Sequence, residues 1–198
     1  MRLGIGTTIR FSLMAGAVFM AGAVQLFTAD SAIAQQNPSC NFESDFVTGG
    51  GFIVIPDPNT GAHANFGVAG GCKNGSFFGH LEYVDHGSGL APSSAPTPFN
   101  VHWISITAYR NTGTTTREIC GTARTNDNDS THSTVGFRVT VQDNDGLGIP
   151  DTFRIQLFVD SNPPFYDTSL NPLGGGNIEI HKPNPPPTDD GTCPTPLA

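Results

Sequence analysis

The segment 142–153, QDNDGLGIPDTF, carries the residues whose types and spacing most suggest chemistry. Asp143, Asp145 and Asp151 lie within nine residues of one another, with two glycines and a proline between them. Calcium takes six to eight oxygen ligands, and closely spaced aspartates in a tight, glycine-containing loop can supply several of them. The sequence therefore predicts a calcium site formed by these three aspartates and a backbone carbonyl near Leu147.

A plain turn between two strands is the alternative interpretation of the same segment. Asp, Asn, Gly and Pro are the residues that turns favour for conformational reasons alone. The string is similar to the calcium-binding loops of thrombospondin type 3 repeats, but those loops occur in tandem and this one stands alone. It also lacks the terminal Glu of an EF-hand. The sequence leaves both interpretations open.

Two aromatic residues suggest a second kind of site. Trp103 and Tyr109 fall on one side of the strand predicted for 100–109, and Ile104 and Ile106 fall on the other. If the isoleucines face the core, Trp103 and Tyr109 face solvent and form a platform for a sugar ring or a peptide. The alternative is a strand that is buried on both faces. The platform would make an envelope glycan or protein the partner.

No arrangement typical of an enzyme is recognisable in the sequence. Gly87-Ser88-Gly89 is too short for a nucleophile elbow, which also requires a turn from a strand into a helix. A metal site of Asp85, His86 and His102 is conceivable because transition metals favour imidazole. His102, however, lies within a predicted strand, so surface or hydrogen-bonded histidines are the better interpretation. We therefore predict a protein that is not an enzyme, with an envelope hydrolase as the less favoured alternative.

Four cysteines indicate an oxidising compartment. An even number of cysteines in an exported chain predicts two disulfides, for which three pairings exist. We favour Cys72–Cys120, which would join two core strands, and Cys40–Cys193, which would close a long loop between the two ends of the domain. Long loops are where a cross-link stabilises most in the chain-entropy model.

Alternation of apolar and polar residues predicts an all-β fold. Val135, Phe137, Val139 and Val141 alternate with polar residues, which is the pattern of a half-buried antiparallel strand. About eight strands follow from such patterns and the turns between them: 51–55, 63–71, 76–84, 100–109, 115–125, 133–142, 152–159 and 176–182. Short connections between them favour an antiparallel, meander-rich sheet that closes as a sandwich or barrel.

A meander also predicts which loops lie together. Connections 85–98, 126–132 and 160–175 should gather at one end of the sheet, and 73–75, 110–114 and 143–151 at the other. A strand of ten residues spans roughly 33 Å. The acidic loops at 126–130 and 143–151 therefore cannot share one ion.

The N-terminal 34 residues have the features of a signal peptide. Arg2 and Arg10 precede an apolar run, and Ala32-Ile33-Ala34 forms a small-x-small cleavage motif. We predict cleavage after Ala34 and a secreted or periplasmic protein, with a membrane anchor as the alternative. The predicted organisation is a signal peptide (1–34), an N-terminal segment (35–48), a β-domain (49–182) and a Pro-rich tail (183–198).

The composition argues against nucleic acid as a partner. The chain carries 17 acidic and 9 basic residues, which gives a formal net charge of −8. Binding to phosphate backbones needs a basic surface. No segment after the predicted signal is apolar enough to predict a membrane span.

Three segments together resemble one protein family. They are GGGFIVIP (49–56), HANFGVAGGCKNGSFFGHLEYVDHGSG (63–89) and FRVTVQDNDGLGIPDTFRIQL (137–157). They resemble the post-COAP-1 domain family of exported bacterial β-domains, and the resemblance covers most of 49–182. It implies an extracytoplasmic module of the bacterial envelope and supplies no catalytic residues. The four cysteines and the lack of a visible anchor depart from the family.

Overall fold

A computed structural model describes residues 40, 45–55, 61–160, 163–181 and 193. The predictions for the signal peptide (1–34) and, apart from Cys193, for the tail (183–198) fall outside these residues. Within these described residues nine strands follow one another: β1 (Phe46–Val54), β2 (His63–Lys73), β3 (Ser76–Asp85), β4 (Phe99–Asn111), β5 (Thr116–Thr125), β6 (Thr134–Gln142), β7 (Thr152–Phe158), β8 (Tyr166–Asp167) and β9 (Asn171–His181). All eight predicted strands are present, and β8 is additional.

The strands form one antiparallel sheet that closes on itself. Neighbouring strands pair in the order β6-β5-β4-β3-β2-β1-β9-β7-β8, and a further pairing between β6 and β7 completes the ring. The prediction of an all-β, antiparallel meander closed as a sandwich or barrel is confirmed. The Asn74-Gly75 turn between β2 and β3 has φ values of 52° and 75°, which is the conformation that a two-residue hairpin requires.

The core lies inside the ring and is built from the inward side chains of each strand. Phe66 and Phe153 stack face to face with ring centroids 3.9 Å apart, and Tyr83 lies parallel to Phe153 at 6.1 Å. These rings join β2, β3 and β7 across the interior. Aromatic pairs of this kind contribute beyond the area that they bury.

The loops gather at the two ends as predicted. At one end the backbone N–H of Asn128 donates to the carbonyl of Ser94, 3.4 Å away, and the His132 ring stacks on Phe165 with centroids 4.1 Å apart. At the other end Asp143 N–H donates to the carbonyl of Thr115 at 3.0 Å. The two acidic loops therefore lie at opposite ends of the sheet.

The predicted pairing of the cysteines is wrong, although all four are in disulfides. The bonds are Cys40–Cys72 and Cys120–Cys193. Cys72 and Cys120 lie on β2 and β5, which are separated in the sheet by β3 and β4, so they cannot meet along the wall. Each strand cysteine is instead joined to a segment outside the sheet.

Candidate functional site

The three predicted aspartates lie together in the loop between β6 and β7. Asp143, Asp145 and Asp151 each offer an oxygen, and these oxygens lie within 4.8 Å of one another. Asp151 is buried, Asp143 is half-buried and Asp145 is exposed. The arrangement is a small group of hard oxygen donors that is open to solvent on the Asp145 side.

Two of the aspartates attach the loop to β9. Asp151 accepts a hydrogen bond from the N–H of Ile178 at 2.7 Å, and Asp143 accepts one from the N–H of Ile180 at 2.9 Å. Hydrogen bonds between an ionised carboxylate and backbone N–H groups are stronger than those between neutral groups. The two carboxylates therefore accept hydrogen bonds from backbone N–H groups of β9 in addition to lying close to each other.

The loop is also held from within. Asn144 donates its backbone N–H to Asp151 at 2.8 Å and its side-chain amide to the carbonyl of Pro150 at 2.7 Å. The Asp145 N–H donates to Asp143 at 3.0 Å. These hydrogen bonds are those of a well-formed turn. The segment is therefore a turn between β6 and β7 whose three carboxylates also lie close together.

Like charges dominate the electrostatics of the cluster. The negative charge of Asp143 raises the pKa of Asp145, with smaller contributions from burial, Asp151 and Glu179. A cation placed among these carboxylates would relieve that repulsion. The group suits binding of a hard cation such as calcium.

Trp103 and Tyr109 do not form an exposed platform, so that prediction is wrong. Tyr109 is 1% exposed, and Trp103 is partly buried against the core. The register of β4 against β5 shifts between Trp103 and Ser105 and again between Ile106 and Ala108. These bulges change the side to which residues point, so Ile104 is exposed and Ile106 is buried.

Tyr109 belongs instead to a buried polar network that the sequence did not reveal. Its hydroxyl donates to Asp45 at 2.6 Å, and Arg117 Nη2 donates to the same carboxylate at 2.5 Å. Arg117 also donates to Asn111 at 2.9 Å and to the carbonyl of Gly113 at 2.7 Å. Burial and the neighbouring Asp45 raise the pKa of Tyr109, which keeps the phenol protonated. These bonds join the segment before β1 to the loop between β4 and β5.

Asp85, His86 and His102 are not brought together as metal ligands. Asp85 is buried and accepts hydrogen bonds from the N–H groups of Gly87 and Ser88, from the Ser88 hydroxyl and from Tyr166. His102 lies on the outside of β4, where its Nδ1 is 2.5 Å from Glu82. Asp85 therefore shapes the start of the 85–98 loop, and His102 forms a surface pair.

Comparison with known proteins gives no relative from which a function could be transferred. No family model, no curated protein and no solved structure matches this chain. The functional argument therefore rests on the residues and geometry described above.

Proposed function

We propose that this chain is an exported β-domain without catalytic activity, which serves as a structural or binding module of the bacterial envelope or the extracellular space. The two disulfides indicate an oxidising environment, extracellular or periplasmic. The signal-like N-terminal segment and the resemblance to exported β-domains support the same location. In the described part of the chain, no helix has the length and hydropathy of a membrane span.

The proposal includes calcium as a stabilising ion in the 143–151 loop. The observation that carries this part is the approach of the Asp143, Asp145 and Asp151 oxygens to within 4.8 Å of one another. Calcium completes its coordination with backbone carbonyls and water when side chains supply only part of the shell. Its role here is stability, because Asp143 and Asp151 also hold β9.

The melting temperature of the purified protein in excess calcium and in chelator tests this role. A ligand that binds only the folded state stabilises by about 2.7 kcal/mol at one hundred times its dissociation constant. For a domain of this size that corresponds to a rise of roughly 5–10 °C. We expect the rise in the unmodified protein and its loss in Asp145→Asn.

Asp145→Asn is the informative variant because Asp145 is exposed and its own carboxylate anchors neither the loop nor β9. Asp160→Asn is the matched control. Asp160 is exposed at a φ of 55°, a conformation that Asn tolerates. The control should keep the full response to calcium. Identical melting curves in millimolar calcium and in chelator, or a rise that persists in Asp145→Asn, would contradict calcium binding at this loop.

A further inference from the structure

An open groove crosses the outer surface of the sheet and meets the aspartate loop at Gly175 and Gly176, whose backbone borders both. Its cavity volume is about 450 Å³, within the range of roughly 300–1,000 Å³ typical of small-molecule sites. The groove lies over β9, β1, β2 and β3. Its lining combines an aromatic ring, an amide and a carboxylate with a floor of backbone: Gly51, Phe52, Asn65, Phe66, Gly67, Glu82, Val84, Gly175 and Gly176.

The strand register explains why the groove is there. Gly67 is paired with Gly50 on one side and with Glu82 on the other, and Glu82 is paired with His102. Asn177 on β9 lies opposite Gly50. Antiparallel partners share a face of the sheet, so one row across five strands has polar side chains at both ends and two glycines between them.

Gly67 has no structural need to be glycine. A Cβ at this position would meet no atom within 4 Å, and its backbone conformation is one that other residues adopt. By contrast, a Cβ at Gly51 would lie 2.2 Å from the carbonyl oxygen of Gly175. Glycine within a strand is destabilising, and it often marks the close approach of a ligand or another backbone. The open space above Gly67 is what an occupant of the groove would fill.

The walls of the groove are held in place by their own contacts. The Phe52 ring packs over Gly174 and Gly175 and stacks on His63, with ring centroids 4.9 Å apart. On the far side His102 Nδ1 lies 2.5 Å from a carboxylate oxygen of Glu82, with each side chain about half exposed. The groove is thus bounded by an aromatic side and a polar side.

The charge and shape of the groove indicate which class of ligand it would bind. Glu82 is the one formally charged residue of its lining within the described chain, and the protein has a net charge of −8, so an anionic polymer is disfavoured. Sugars carry hydroxyls that carboxylates and amides bind, together with flat C–H faces that lie on backbone and aromatic edges. We infer that this groove binds a neutral oligosaccharide, with a sugar ring over Gly67 and its hydroxyls bonded to Glu82 and Asn65.

This inference rests on the proposed binding role and adds a class of ligand to it, and it does not require that the protein lack catalytic activity. It does not require calcium, because the groove and the aspartate loop share only the backbone of Gly175 and Gly176, and the side chains that would bond the sugar are not those of the loop. Binding is measured by NMR on the ¹⁵N-labelled protein with cellohexaose, maltohexaose and chitohexaose, in calcium and in chelator. We expect saturable shifts at the amides of Gly67, Glu82 and Asn65 with at least one of these sugars in both conditions.

Gly67→Val is the decisive variant because it fills the groove without harming the strand. Val is favoured in strands, so the melting temperature should stay the same or rise while sugar affinity falls at least tenfold. Glu82→Gln should weaken binding by removing the anionic acceptor. Thr134→Val on β6, outside the groove, is the matched control and should bind as the unmodified protein does.

Absence of shifts with all three sugars at millimolar concentration would overturn the inference. Equal affinity in Gly67→Val would overturn it as well. Chromatography of the recovered sugar separates this inference from the proposed function. A cleaved sugar would support the groove and contradict a non-catalytic role, whereas a missing calcium effect with intact sugar binding would contradict only the calcium site.

Discussion

Among single residues, Asp45 is the centre of a buried network of charged and polar side chains. The Asp45 and Arg117 side chains are 3% and 5% exposed, and Tyr109 donates to the same carboxylate. An ion pair taken out of water is tolerated only when its remaining hydrogen-bonding groups have partners. Here Arg117 uses Asn111 and the carbonyls of Gly113 and Thr116 in addition to Asp45.

Asp45→Asn should therefore be strongly destabilising. The substitution leaves the Arg117 charge buried without its counter-ion, which typically costs about 3–5 kcal/mol. The free energy of unfolding by urea measures this directly. Glu179→Gln is the matched control because Glu179 is 57% exposed and its contact with His181 is 3.5 Å long, and it should change stability by less than about 1 kcal/mol. A small effect of Asp45→Asn would mean that Arg117 finds water or another acceptor.

This buried network could not be predicted from the sequence. Asp45 lies 64 residues before Tyr109 and 72 residues before Arg117, and no spacing rule joins it to them. The aspartate loop was predictable because its members are near neighbours in sequence. Contacts that arise from ring closure depend on the register of several strands at once, and a single sequence does not specify that register.

At the scale of elements, β8 is the strand with the least backbone support. It has two residues and pairs with β7 at only Gln156–Asp167 and Leu157–Tyr166. Side chains reinforce it: Arg154 donates to both oxygens of Asp167, at 2.9 and 2.6 Å, and Gln156 donates to one of them at 3.0 Å. The charge of the Asp167 carboxylate therefore contributes to the attachment of β8, together with the buried Tyr166, which hydrogen-bonds to Tyr83 and Asp85.

Acid should weaken the attachment of β8 at Asp167. Burial alone would raise the pKa of Asp167, but hydrogen bonds from Arg154 and from the Ser169 N–H hold it below its usual value. A depressed pKa in the folded state contributes stability that is present above the unfolded value of about 3.9 and is lost as pH falls through the folded value.

Amide hydrogen exchange at Asp167, followed from pH 7 down to pH 3, measures this weakening. The unmodified protein should lose protection at the acid end of that range. In Asp167→Asn protection should already be low at neutral pH and should change little with acid. Equal pH dependence in the two proteins would assign the acid transition to other carboxylates.

The prediction of elements succeeded where side-chain alternation was regular. Strands β6 and β7 lie within one residue of their predicted bounds, because apolar and polar residues alternate along β6 and along β7 as far as Leu157. In β4 two bulges shift the register, and a bulge inserts a residue without leaving a pattern in the sequence. In β1 three consecutive glycines carry no pattern of apolar and polar side chains, so the sequence does not indicate where the strand begins. The strand begins at Phe46, where its backbone pairs with both β2 and β9.

At the scale of the whole molecule, closure of the sheet decides which cysteines can meet. Cys72 and Cys120 lie on strands that two other strands separate, so each bonds to a cysteine outside the sheet. Cys193 is buried with Ala108 and Cys120, which fastens a point near the C-terminus of the sequence to β4 and β5. A closed meander excludes Cys72–Cys120 but does not distinguish the two remaining pairings, since each strand cysteine has two candidate partners outside the wall.

The two disulfides should contribute similar amounts to stability despite their different spans. They separate cysteines by 32 and 73 residues, and the chain-entropy model gives about 3.7 and 4.4 kcal/mol for loops of these lengths. The double variants Cys40→Ala/Cys72→Ala and Cys120→Ala/Cys193→Ala should each lower the free energy of unfolding by about 4 kcal/mol, with less than 1 kcal/mol between them.

Urea unfolding of both variants, with disulfide mapping by mass spectrometry of the unmodified protein, tests this expectation. Loss of only one cysteine from a pair is the wrong control, because the remaining thiol can exchange with the other disulfide. A much larger loss for Cys120–Cys193 would show that this bond stabilises the folded state through the packing of Cys193 against Ala108 and Cys120 as well as through the constraint on the unfolded chain.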